Sequence, residues 1–284
     1  MSTRFGFIKN WPIVIALICA GMMMGCAGLQ KQSPDPVPEI MPGVLAGYLK
    51  PEVLPNSLAL LPPPPVEGSA ALELDEEVSR RSQALRGTPR WTVATRDAEL
   101  RFPEAADTFS CAIGIPITEQ KTPHLYMLLR RTLADAGLST YTAKKEYQRK
   151  RAFMVNDQPI CTPEDEEKLR KDGSYPSGHT AIGWAWALIL TEIAPDRADA
   201  ILARGRAFGE SRIICNVHWH SDVVEGRFMG AAAVARLHAD EKFLADLEMA
   251  KKEYANVRSQ GLKPSRDCRA EADALAGVGG DRKE

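Results

Sequence analysis

The sequence predicts an all-α fold, a single helical-bundle domain, and three observations carry that prediction. From about residue 70 the apolar residues recur at helical spacing. The stretch 180–193 holds Trp184, Trp186, Leu188, Ile189 and Leu190 with a single charge at Glu192. A helix so apolar on nearly every side belongs in the middle of a bundle. No segment shows the period-two alternation of a half-buried strand, and no internal repeat divides the chain.

The elements follow in order. Arg4 and Lys9 precede an uncharged apolar run at 13–24, which predicts a secretory signal peptide over residues 1–25. The run falls short of the roughly 20 apolar residues that span a bilayer as a helix. Its end, Met23-Met24-Gly25-Cys26-Ala27, resembles the lipobox of bacterial lipoproteins and makes Cys26 a candidate for lipidation, with ordinary cleavage as the alternative. An exported bacterial protein is expected, periplasmic or anchored to the outer membrane. Residues 26–69 read as a Pro-rich N-terminal linker, extended because proline fixes φ and donates no hydrogen bond. Its Leu58-Ala59-Leu60-Leu61 insert is apolar enough to pack onto the domain.

The helical domain is expected over 70–258, followed by a polar tail at 259–284. Thr162-Pro163-Glu164-Asp165 carries the signals of a helix start: a cap, a proline at the first position and acids in the first turn. Pro195 ends the central apolar helix, and 196–209 reads as the next one. Ser221 can cap another through Val223, Val224, Phe228 and Met229, and a last helix is expected over 240–257. A chain of 284 residues can bury a core that needs no staples. Its 36 Lys plus Arg against 37 Asp plus Glu lack the positive excess that nucleic-acid binding brings. No nucleic-acid partner is expected, membrane contact only through a lipid anchor, and a homo-oligomer is compatible with the sequence.

Export changes how cysteines are read. Beyond Cys19 and Cys26 stand Cys111, Cys161, Cys215 and Cys268, an even number in an oxidising compartment. They allow three connectivities. The favoured one joins Cys161 to Cys215, each near a motif described next, and leaves Cys111 for Cys268. No C-x-x-C spacing suggests a thiolate metal site or a redox pair.

Chemistry concentrates in three short segments. In Tyr175-Pro176-Ser177-Gly178-His179 a turn precedes the central helix, whose unpaired N–H groups and positive dipole end attract anions. Ser177 adds a hydroxyl donor, Gly178 permits close approach, and His179 can donate a proton to a leaving oxygen. In Ser211-Arg212 … His218-Trp219-His220-Ser221-Asp222, His218 and Asp222 are spaced for a carboxylate to hold an imidazole. A carboxylate there fixes the tautomer and leaves the other ring nitrogen as base or nucleophile. Arg212 offers a planar fork to phosphate oxygens, while His220 points elsewhere, as a polar wall. The third segment, from Lys144 to Arg151, is a charge run that by itself reads as a solvated helix face.

Together the three resemble the signature of the type-2 phosphatidic acid phosphatase superfamily: K-x6-R-P, P-S-G-H and S-R-x5-H-x3-D. Here the elements are Lys144 with Arg151, Pro176-Ser177-Gly178-His179, and Ser211-Arg212 with His218 and Asp222. The surrounding Lys171-Asp172-Gly173-Ser174-Tyr175, Gly47-Tyr48-Leu49 and Cys215-Asn216-Val217-His218-Trp219 look like the bacterial class A non-specific acid phosphatases. Vanadium haloperoxidases share the signature, but this close context favours a phosphatase. Ala152 stands where the family has proline, which is expected to loosen the loop that aims Arg151.

The resemblance implies an all-α bundle and broad-specificity hydrolysis of small phosphate monoesters without cofactor or metal. It implies His218 as the nucleophile that becomes a phosphohistidine, Asp222 as its orienting carboxylate and His179 as general acid and base. Lys144, Arg151, Ser177, Gly178 and Arg212 would hold the phosphate. Alternatives on the same residues are phosphotransfer to alcohols or hydrolysis of lipid phosphates. A metal-dependent hydrolase using His179, His218, His220 and Asp222 would leave the three cations unexplained, and a serine hydrolase lacks the G-x-S-x-G elbow.

Overall fold

Ser69, Thr88 and Asp240 each turn a side-chain oxygen onto the backbone N–H of the third residue on (Leu72, Trp91 and Phe243), and each starts a helix. Such local signals set much of the architecture. The structure, a computed structural model, describes residues 1–3 and 33–276. The apolar run at 13–24 and Cys26 lie outside the described residues.

A hairpin of β1 (Glu39–Met41) and β2 (Val44–Leu45) comes first. It departs from the strand-free expectation because strands this short leave no alternation to read. Then follow α1 (Ser57–Leu60), α2 (Ala70–Ser82), α3 (Pro89–Arg96), α4 (Ser110–Ile113), α5 (Pro123–Leu138) and α6 (Tyr141–Tyr147). After them come α7 (Phe153–Asn156), α8 (Glu166–Leu169), α9 (Gly178–Ile193), α10 (Ala198–Ile214), α11 (His220–Leu237), α12 (Glu241–Ser259) and α13 (Cys268–Ala276). The fold is all-α, as expected. Among the described residues no helix is long and apolar enough to cross a membrane.

The apolar helix α9 is the central one and packs against α5, α10 and α11. Trp186 lies at its heart, fully buried, with Phe102, Phe109 and Phe208 around it, and its indole donates to the Leu129 carbonyl at 3.0 Å. A buried indole without that acceptor would cost about 1–3 kcal/mol. Gly226 lets α11 settle onto the start of α9, because a Cβ there would stand 2.6 Å from the Ser177 carbonyl oxygen.

Three expected elements differ in detail. After Thr162 there is only a 3-10 turn (Pro163–Asp165) and the single turn α8, with no capping bond from Thr162. The start signals are present, but the acids that follow offer no apolar stripe to bury. The helix expected over 196–209 runs on to Ile214 and so carries Arg212 in its last turn. Ser221 does not cap α11: the helix starts at His220, and the Asp222 carboxylate accepts from the Trp219 N–H at 2.9 Å.

Both flanking segments touch the bundle. The N–H groups of Tyr48 and Leu49 donate to buried Asp135 on α5, whose carboxyl burial pushes up to about 6. Leu61 is buried with Tyr175, Ala181 and Met229, while Leu58 and Leu60 stay exposed. The Tyr175 hydroxyl donates to the Pro62 carbonyl at 2.8 Å. Near the other end, Cys268 at the start of α13 is bonded to Cys111, and Glu271 pairs with buried Arg204 on α10. The second disulfide is Cys161–Cys215.

Candidate active site

The three motif segments, far apart in sequence, are laced together by backbone hydrogen bonds. Ser174 N–H donates to the Arg149 carbonyl, Phe153 N–H to Asn216, and Ser177 N–H to Asp222, at 2.9, 3.0 and 2.9 Å. Asn216 makes the turn out of α10 in the left-handed region at φ 60, which asparagine tolerates better than most residues. That turn delivers His218 back over the segment that carries Arg151. Close behind, the Cys161–Cys215 disulfide ties the turn to the chain after α7.

His218 is buried, and its two nitrogens have distinct partners. Nδ1 lies 3.2 Å from Oδ2 of Asp222, and Nε2 lies 3.1 Å from Nη1 of Arg151. Arginine can only donate, so Nε2 presents its lone pair and the proton sits on Nδ1, facing the carboxylate. Burial, then the charges of Arg151 and Lys144, hold the imidazole well below its usual range and therefore neutral. Although His218 precedes α11 rather than lying on its face, the first helical turn still brings Asp222 under it.

Asp222 is fully buried and pushed upward by that burial, opposed by Arg149, whose Nη1 donates to Oδ1 at 2.7 Å. Arg149 also pairs with buried Asp75 on α2 at 2.7 Å and lies 5.5 Å above the Trp219 ring. Asp75 in turn accepts from the Ser221 N–H and hydroxyl, each at 2.6 Å. Arg149 and Asp75 were not singled out by sequence. Arg149 sits in the Lys144–Arg151 charge run, two residues before Arg151, and nothing local in the sequence sets it apart there.

The cations gather on the other side of His218. Lys144 on α6 donates to the Gly173 carbonyl at 2.5 Å, and burial followed by the charge of Arg151 lowers its pKa to about 8. Arg151 has acceptors at every nitrogen: the Leu169 and Asp172 carbonyls, the Val217 carbonyl with His218, and the Asp172 carboxylate. Its aim is therefore set by the fold, with Ala152 buried at the start of α7 in place of proline. Arg212 is different. It is buried, its Nε and Nη1 have no hydrogen-bond partner among the described residues, and burial with Arg151 nearby lowers its pKa to about 10. A buried guanidinium with idle donors fits an anion that binds from outside.

Ser177 caps α9: its Oγ accepts from the Thr180 N–H at 3.3 Å and the Thr180 hydroxyl at 3.0 Å, so its own proton is committed to neither. A Cβ on Gly178 would make only ordinary contacts, with Thr140 at 3.5 Å and Lys144 at 3.9 Å. The helix N-terminus at Gly178 thus packs beside Thr140 and Lys144 without crowding. The Nε2 of His179 donates to the Ala98 carbonyl at 2.9 Å, which leaves Nδ1 for chemistry. Burial and then Arg212 hold His179 well below its usual range. The Ser211 hydroxyl is engaged in a buried network, accepting from Arg90 at 2.9 Å and donating to Asp97 at 2.6 Å.

Among the described residues no three His, Cys, Asp or Glu side chains are gathered as a metal site. The grouping of His179, His218, His220 and Asp222 is not assembled: His218 and Asp222 are spent on each other, and His179 turns to Ala98. The arrangement suits the binding of a compact anion beside a neutral, nucleophilic imidazole.

Residues 124–243 match the family described as the PAP2 superfamily. The chain is 42% identical over 246 residues to a non-specific acid phosphatase of Providencia stuartii, an alignment covering 86% of this chain and 98% of that protein. It is 44% identical over 209 residues to an acid phosphatase of Zymomonas mobilis, covering 74% of this chain and 79% of that one. A non-specific acid phosphatase of Salmonella typhimurium is 42% identical over 207 residues, 72% of this chain and 83% of that one. With a family match over residues 124–243 and relatives 42–44% identical over 79% or more of their length, the chain belongs to the PAP2 superfamily.

Proposed function

We propose that this chain is an acid phosphatase that hydrolyses small phosphate monoesters through a phosphohistidine on His218. The observation that carries the reading is the neutral, buried imidazole whose Nε2 lone pair faces a cluster of cations, one with idle donors. Nε2 attacks phosphorus, and the bond to the ester oxygen breaks as His179 gives that oxygen a proton from Nδ1. Neutral His179 then takes a proton from water, the hydroxide attacks phosphorus, and the P–N bond breaks to release inorganic phosphate. Asp222 keeps the proton on Nδ1 of His218 and stabilises the charge that develops on the ring. Lys144, Arg151, Arg212, Ser177 and the Gly178 N–H receive the equatorial oxygens.

The pKa pattern gives a reason for acidic working conditions. His218 must stay neutral while His179 must be protonated, yet burial and Arg212 hold His179 low. A bound phosphate offsets Arg212 and raises His179, and acid supplies the proton. Export by the signal at 1–25, with or without lipid on Cys26, belongs to the same reading.

The test is hydrolysis of p-nitrophenyl phosphate from acid to neutral pH, with and without chelator, on the unmodified chain and on His218→Ala. Activity that survives chelation is expected, together with label from a radiolabelled phosphate ester that stays on the unmodified protein in an alkaline denaturing quench, where a P–N bond is stable, and none on His218→Ala. Normal turnover by His218→Ala, or loss on chelation, would overturn the scheme.

A further inference from the structure

Asp172 precedes the Gly173 carbonyl that holds Lys144, and its carboxylate lies among the cations. A single oxygen, Oδ2, stands 3.1 Å from Nη2 of Arg151 and 3.5 Å from Nζ of Lys144. The two cations are 3% and 4% exposed, whereas the Asp172 side chain is 40% exposed. The ion pairs therefore join buried, fixed cations to a carboxylate at the rim.

The cations do not depend on that carboxylate for their placement. Lys144 is held by the Gly173 carbonyl, and Arg151 by the carbonyls of Leu169, Asp172 and Val217. The Asp172 backbone is anchored as well, its N–H on the Leu169 carbonyl at 3.3 Å and its own carbonyl on Arg151 at 3.1 Å. Moving the carboxylate away asks only for a side-chain rotation toward solvent. Asp172 also leaves Arg212 alone, and that is the cation whose donors are idle.

We propose that Asp172 is an internal competitor for the anion site, occupying Lys144 and Arg151 until a phosphate group displaces it. This rests on the phosphate-binding reading above. A carboxylate oxygen and a phosphate oxygen offer the same two cations the same partner, but a phosphate reaches Arg212 too and carries more charge. It wins the exchange, at an apparent affinity reduced by the fraction of molecules in which Asp172 holds the cations. The same exchange favours the departure of inorganic phosphate after each turnover.

The experiment measures the binding of inorganic phosphate to the full chain by calorimetry, and its inhibition of p-nitrophenyl phosphate hydrolysis. The variants are Asp172→Asn, Asp172→Ser and Asp165→Asn. Asp165 is a nearby acid whose charge is felt at Arg212 but which pairs with neither Lys144 nor Arg151, so it controls for the general field. Asp172→Asn and Asp172→Ser should each tighten phosphate by about two- to fivefold, the range for a partly exposed ion pair, and Asp165→Asn should do so by clearly less. Weaker phosphate binding in the Asp172 variants would make Asp172 a positioning residue and overturn the proposal. Unchanged binding, or an equal gain in Asp165→Asn, would overturn it too. If the unmodified chain binds no phosphate and hydrolyses nothing, the failure lies instead with the phosphatase reading.

Discussion

Asp222 and Arg212 are both buried charges, and the bundle treats them in opposite ways. Asp222 accepts from Arg149, the Trp219 N–H and His218, and Arg149 is itself tied to Asp75. Arg212 keeps Nε and Nη1 without partners among the described residues. Burying a charge is costly unless it is paired. On the proposed function the difference separates two tasks: Asp222 belongs to machinery finished at folding, whereas Arg212 is finished only when an anion arrives. Changes on the first side should damage turnover or folding, and changes on the second should damage binding while leaving the fold intact or firmer.

The largest effect is expected at Asp222. Asp222→Asn keeps the shape but removes the charge that holds the proton on Nδ1 of His218, so turnover should fall by about 10³- to 10⁴-fold. Single-turnover measurement of phosphoenzyme formation checks it, and a loss in KM alone would contradict the role. Arg149→Met attacks the same unit from behind. It leaves Asp75 and Asp222 without their shared counter-charge, and the fold should lose about 3–5 kcal/mol in denaturant unfolding.

Arg212→Met reverses the pattern. Phosphate affinity should drop by about 10- to 100-fold, the scale of one charge-assisted bidentate contact. Unfolding should be unchanged or shifted to higher denaturant, because two unsatisfied buried donors disappear. Arg212 is also the charge that, after burial, most depresses His179. The variant's general acid should therefore titrate at higher pH, moving that limb of the rate profile upward. Equal losses of stability in Arg149→Met and Arg212→Met would erase the distinction between the two sides.

This contrast was only half legible in the sequence. His218, Asp222, His179 and the cations stand at spacings that carry chemical meaning, and the central helix announces itself by an unbroken apolar surface. Arg149 does not, because within the Lys144–Arg151 run it looks like Lys145 or Lys150, and its partner Asp75 lies 74 residues away on α2. Asp172 likewise sits in a charged stretch where nothing local marks it as facing two buried cations. The polar segment after 259 reads as a tail because α13 shows no wide apolar stripe. Its attachment comes from one disulfide, from Glu271 on Arg204 and from Arg266 on Asp107, all long-range. Local pattern reveals groups whose partners are near in sequence; among pairings closed by the fold, the disulfides could be anticipated from the cysteine count, but the ion pairs of Arg149 and Arg204 leave no such trace.

The smallest effect, and the one with the sharpest sign, belongs to Lys144. Burial and Arg151 bring its pKa down to about 8 from an ordinary 10.5. Below pH 8 the ammonium is charged and available to phosphate. As pH rises through about 8 that charge is lost, and inhibition by inorganic phosphate should weaken by up to about tenfold per unit. Stability moves the other way. Between about 8 and 10.5 the unfolded chain holds a proton on this lysine that the folded one has released, so unfolding free energy from this group rises with pH over that window. Lys144→Arg should abolish the affinity step near 8, since a guanidinium stays charged there. Lys144→Met should remove both trends, separating this residue from every other group that titrates in alkali. Affinity and stability falling together through pH 8 in the unmodified chain would mean that the ammonium serves to hold the fold, placing Lys144 on the Asp222 side of the comparison.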